Sequence, residues 1–164
     1  MNRQADGYTL LFHEIFTKVN NAKDKAKKVE VLRKYDSPNL RNFLMCAFNP
    51  DIEWMLPEGQ VPYIENDAPE GEGEQMRLAE VMSKMHNYVK MDRSDIGKPE
   101  VVGNPQLTQL VRERMFIQML EGLHADEAAL VILAKDKNLH RKYKGLNAPT
   151  VTAAYGWSDT FEPK

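Results

Sequence analysis

Residues 139–157 read "LHRKYKGLNAPTVTAAYGW": three cations, Arg141, Lys142 and Lys144, stand directly before Gly145, and Asn147-Ala-Pro then opens another helix. Lys and Arg suit the end of a helix because they oppose the negative end of its dipole. A glycine turn, a fresh helix N-terminus and flanking cations also compose an anion clamp, because amide N–H groups and positive side chains converge on one point. Gly145 would let the backbone approach a phosphate closely. Lys137, Arg141, Lys142, Lys144, Gly145 and Asn147 therefore form the first candidate phosphate-binding set. A second group, Lys23, Lys27 and Lys34, recurs at helical spacing with Glu30 among them. Such a stripe can neutralise a nucleic-acid backbone, or it is a solvated face with Glu30 bridging Lys27 and Lys34.

Other chemistry is sparse. The four histidines, His13, His86, His124 and His140, never recur at metal-ligand spacing, and each falls in a different helix or turn. No Gly-x-x-x-x-Gly-Lys-Ser/Thr or Gly-x-Gly-x-x-Gly string is present. The glutamates of "EGEGEQ" would repel a phosphate, and the acids of 51–80 fit no calcium loop. The single Cys46 excludes an internal disulfide and a cysteine-based zinc site, and its apolar context "FLMCAFN" suits a buried structural thiol. No catalytic residue, cofactor or metal is expected; the chain reads as a binding protein.

The elements that must position these residues are helical. Tyr8, Leu11, Phe12, Ile15, Phe16 and Val19 follow a 3,4 spacing. A second helix turns Ala22, Ala26, Val29, Leu32 and Tyr35 inward. Ser37 and Pro38 open a third with a hydroxyl cap and a proline at the first turn, where its missing N–H costs nothing. Its inner stripe is Leu40, Phe43, Leu44, Ala47 and Phe48. Leu78, Met82, Met85 and Val89 mark a helix over 74–91, and "DRSDIGKPEVVGN" is a loop. Asn104 and Pro105 repeat the cap-and-proline signature before an apolar stretch, Met115 to Leu120, that predicts a central buried helix. Residues 124–138 form a further helix with acids early and lysines late, and a last one starts at Asn147. The expected fold is all-α: a single compact domain, residues 1–164, of six or seven helices.

Between the third and fourth helices, residues 49–74 carry four prolines and three glycines and read as one long acidic loop. Trp54, Met55, Leu56 and Tyr63 are expected to pin its first half to the core, leaving 65–74 mobile. Net charge is −2, yet it is segregated: eight cations against three acids over 18–41, and nine acids against Arg77 alone over 51–80. No apolar run could span a bilayer, and the first residues lack a signal-peptide core. A reducing cytoplasm and no membrane partner are expected.

The strings "KYDSP", "LPEG", "KDKNL" and "KYKGL" resemble a family of small uncharacterised proteins of large tailed, T-even-like phages. More distantly, residues 8–56 and 107–158 resemble the N-terminal helical DNA-binding domain of ATP-dependent DNA ligases. There, too, an opening helix leads to a lysine-rich one, and a late helical hairpin ends in a glycine turn. The ligase resemblance implies duplex DNA as partner, held through its backbone by Arg141, Lys142, Lys144, Gly145 and Asn147, with the lysines of 23–34 matching less securely. It does not imply ligation. The nearest string to the adenylated Lys-x-Asp-Gly motif is "KMDR" at 90–93, with Arg93 in place of glycine. The phage resemblance implies the host cytoplasm, or a place in the virion, and a non-enzymatic accessory role. The alternative is a protein-binding adaptor or inhibitor of a phage or host replication or transcription complex, working through Trp54, Tyr63, Glu65 and Asp67.

Overall fold

A computed structural model describes residues 10–66 and 75–164; Tyr8, Asp67 and the acids Glu70, Glu72 and Glu74 lie outside the described residues. The described chain forms α1 (Phe12–Asn21), α2 (Lys25–Lys34), α3 (Pro38–Phe48), α4 (Leu78–Val81), α5 (Gln109–Gly122), α6 (Ala125–Lys135), α7 (Leu139–Lys142) and α8 (Ala148–Tyr155). Several starts are capped as their residue types dictate. Asp24 accepts from Lys27 N–H, Ser37 from Leu40 N–H and Asn147 from Thr150 N–H. One hydrophobic core runs from Leu10 to Phe161 and joins the helices into a compact single domain. Phe12, Phe16 and Phe43 pack together with ring centroids 5.8–6.3 Å apart, Phe16 on Phe43 stacked and Phe12 tilted to both.

The fold is mostly helical, which corrects the all-α expectation. β1 (Ile52–Trp54), β2 (Val89–Met91) and β3 (Val101–Val102) form an antiparallel sheet in the order β1-β2-β3. Glu53 faces Lys90 across the ladder, and Lys90 Nζ lies 3.4 Å from both Glu53 and Glu100. Strands of two or three residues are too short to display a period of two, so only long-range pairing reveals them. Leu78, Met82 and Met85 are buried as their spacing requires. The backbone, however, tightens to a 3-10 helix at Met82–Asn87 before turning into β2.

Two further expectations give way. Asn104 does not cap α5. Its Oδ1 accepts from Gln106 N–H and its Nδ2 donates to Asn87 Oδ1, an Asx-type turn, and the helix begins four residues later under Thr108. Nor is α5 central. Its buried residues are Arg112, Phe116 and Leu120, one narrow stripe, while Leu110 is 68 % exposed. Ala26, expected inside α2, is exposed, because that helix is buried chiefly through Leu32.

The starts of α1 and α4 carry no side-chain cap of their own at Leu11 or Arg77. Both are completed by Glu127, in the first turn of α6. Its Oε2 accepts from Phe12 N–H (3.1 Å) and its Oε1 from Leu78 N–H (2.8 Å). Glu14 and Glu80 accept from Leu11 and Arg77 N–H at the same two starts. Glu127 is 1 % exposed, and desolvation raises its pKa, opposed by the two amides and by Arg77 and His124.

Glu127→Gln keeps the shape but aims an amide N–H₂ at one of the two backbone donors. We expect a loss of about 2 kcal/mol, a fall of roughly 4–8 °C in the unfolding midpoint for a chain of this size. Hydrogen exchange should quicken at the Phe12 or Leu78 amide. An unchanged midpoint with both amides still protected would show that the carboxylate does not fasten these helices. Burial also pushes the Cys46 thiol up to about 11, against a smaller opposing pull from Lys137. Maleimide labelling at pH 8 should therefore be slow and accelerate only with denaturant; labelling of the native protein at the rate of a small-molecule thiol would contradict this burial.

Candidate nucleic-acid interface

α2 packs between α1 and α8, which brings its cations beside the turn that precedes α8. The junction is Lys28. Its Nζ donates to the carbonyls of Val19, Asn20 and Ala22 at the C-terminus of α1 (3.2, 3.4 and 2.6 Å), where orphan carbonyls and the dipole favour a cation. The stem of Lys28 lies against Gly145. A Cβ added there would run into Lys28 Cε and come 2.8 Å from Nζ. Gly145 N–H donates to Asn20 Oδ1 (3.3 Å). The helix pair is tied again at its far end, where Arg33 donates to the carbonyls of Ala154 and Ala153 at the end of α8. Beside it, Arg41 makes a two-pronged bond to Asp36 and lies 4.6 Å from the ring of Tyr155.

On this frame Lys23, Lys27, Lys34, Arg141, Lys142 and Lys144 are all exposed. Lys34 and Lys142 lie against the rings of Tyr35 and Tyr143, 5.4 and 5.6 Å from their centroids, which holds each stem near the surface. Lys27 has Glu30 at 3.4 Å, so one lysine of the stripe is partly neutralised, but Glu30 does not bridge on to Lys34, which lies over the Tyr35 ring.

The amide half of the clamp is arranged differently from the sequence expectation. Glycine stands at 145 because Lys28 needs the space. Its N–H is engaged by Asn20, and at the start of α8 the Thr150 N–H is engaged by Asn147 and Pro149 has none. Lys137 also turns inward: its ammonium donates to Cys46 O (2.8 Å) and Asn49 O (3.0 Å), and burial lowers its pKa to about 8. Lys135 is buried as well, on Pro57 O, Gly59 O and Asp136. What remains is a set of exposed cations, not a backbone cradle.

The described part of the acidic segment is held by other elements. Trp54 donates Nε1 to Cys46 O and meets Phe116 edge-on, while Leu56 and Tyr63 pack against the core. Gly59 N–H donates to Asp136 and Ile64 N–H to Glu121, so the described part of the loop is held along α5 and α6. Glu65 is exposed; Asp67 is outside the described residues. The two chain ends flanking 67–74 meet neighbouring residues, Asn66 bridging to His124 and Met76 to Leu123.

The structure also unites residues that spacing kept apart. His13, in the first turn of α1, stacks on His124, the N-cap of α6, with centroids 5.3 Å apart, and Asp126 lies beside both. Over 100 positions separate the two histidines, so no local pattern could have paired them.

The sequence profile of a family of unknown function (DUF6433) matches residues 15–141, and the chain belongs to that family. No curated protein and no solved structure matches it.

Gly145→Ala should cost about 1–3 kcal/mol, the range for an overpacked site, by driving Lys28 from the α1 carbonyls. In a Lys28→Ala background the same substitution should cost much less, and a thermal-unfolding double-mutant cycle measures the difference. Equal costs in both backgrounds would mean that the glycine serves something other than Lys28.

Proposed function

We propose that this DUF6433 protein binds duplex DNA without catalysing a reaction on it, through electrostatic contact of its exposed cations with backbone phosphates. The observation that carries the reading is the abutment of α2 and the 139–145 turn at Lys28 and Gly145. By chain position Lys23, Lys27 and Lys34 belong to the α2 side of that contact, and Arg141, Lys142 and Lys144 to the turn side. The described part of the acidic loop is fastened to α5 and α6 instead. Because the amides of Gly145 and Thr150 are engaged internally, the contact rests on side-chain charge. Such binding is sequence-independent and falls steeply with salt. The resemblance to phage proteins and to the ligase domain supports an accessory role on phage DNA in the host cytoplasm. Among the described residues no helix is long and apolar enough to cross a membrane.

The adaptor alternative keeps fewer of its residues. Trp54 and Tyr63 are packed inward, leaving Glu65 and the 80 % exposed Ile64 as the described parts of such a surface. A salt titration of binding to a labelled duplex, intact and nicked, tests the leading reading. The logarithmic slope for Lys142→Ala with Lys144→Ala should be smaller than wild type by about two units. Absence of binding at low salt, where charges are least screened, would overturn it and turn attention to the acidic loop.

A further inference from the structure

The geometry points to a divalent transition-metal site, of the zinc class, formed by His13, His124 and Asp126 at the shared N-terminal ends of α1 and α6. It stands apart from the DNA reading. One ligand atom from each residue lies within 4.8 Å of the other two. Asp126 Oδ2 is 3.5 Å from His13 Nε2 and 3.9 Å from His124 Nδ1. Bonds of about 2.0–2.1 Å to a tetrahedral zinc place neighbouring ligand atoms about 3.3 Å apart, so the site closes when the two imidazoles, near parallel at 17°, turn to converge on one point and the carboxylate follows. Two imidazoles and a carboxylate are the donor set of zinc centres that keep a fourth position for water. Here Asp126 is 57 % exposed while the histidines are 18 % and 22 % exposed at their side chains, so one side is open to solvent.

The surroundings supply charge and rigidity. Glu127 adds a buried carboxylate that interacts with His124 and is itself held by the Phe12 and Leu78 amides, which fixes the helix starts that carry the ligands. The competing interaction is the cap: His124 Nδ1 accepts from Asp126 N–H (3.1 Å). Coordination through either ring nitrogen gives up that bond, since it takes the Nδ1 lone pair or leaves a proton on Nδ1. The loss corresponds to about a fivefold reduction in affinity.

The test is calorimetric titration of zinc chloride into the full chain carrying no histidine tag, with thermal unfolding followed in parallel. Wild type should take up one zinc per chain with a raised unfolding midpoint, because the metal ties α1 to α6 in the folded state alone. Cobalt should replace it and give the visible absorption of a tetrahedral centre. His124→Asn removes the imidazole and retains a capping side chain. It should weaken zinc binding at least about tenfold without lowering the metal-free midpoint, and Asp126→Asn should weaken it too. Zinc uptake by His124→Asn equal to wild type would assign binding to exposed groups such as His86 and His140 and overturn the proposal. So would a wild-type chain that binds no zinc.

Discussion

The buried carboxylate of Glu127 is the constraint on which the arrangement of helices depends. Removing a carboxylate from water is expensive unless its oxygens are matched by donors. Here each oxygen takes one backbone N–H, and each N–H opens a different helix. The positive ends of α1 and α6 meet at this point, where the dipoles favour a negative charge. Because Glu127 sits within the first turn of α6, three chain segments far apart in sequence acquire a common origin. Leu11 and Arg77 are unremarkable residues at their cap positions. Their helices start where they do because a third helix delivers the missing acceptor.

Cations perform the complementary task at the other ends. Lys28 covers the last carbonyls of α1, Arg33 those of α8, and Lys137 the carbonyls of Cys46 and Asn49 around the end of α3. Arg112 is buried on Asn87 O and Leu107 O. Each donates to backbone carbonyls at or near a helix end or turn, where acceptor capacity is left over. A tally of lysines over 18–41 or 135–144 therefore overstates the charge offered to a polyanion. Lys23, Lys27, Lys34, Arg141, Lys142 and Lys144 face solvent.

What the sequence discloses is set by the range of the interaction. Ser37, Asp24 and Asn147 act on amides three residues away, and those helix starts are legible in the order of residues. The core stripe of α3 is legible for the same reason, and so is the anchoring of Trp54 and Tyr63. Asn104-Pro105 carries the same local signature as Asn147-Ala-Pro, yet Asn87 from a distant turn captures the Asn104 amide and the helix starts later. The sheet, the inward turn of Lys137 and the pairing of His13 with His124 all rest on partners about 10 to more than 100 residues away. The glycine at 145 was legible as a special position. Its reason, the stem of Lys28, was not.

These ranges also separate the two surfaces. α1 has ten residues, a length of about 15 Å. Its first turn holds His13 against His124, and its last carbonyls hold Lys28 beneath the basic seam. Charges that far apart across a solvated surface are largely screened at physiological salt, where the Debye length is about 8 Å. Electrostatics alone would leave a cation at one end of α1 nearly unfelt at the other. Communication would have to be mechanical, by α1 shifting along its axis. Such a shift is opposed at both ends, by Glu127 on the Phe12 amide and by Lys28 on three carbonyls. The same fastenings that position the two surfaces keep them independent.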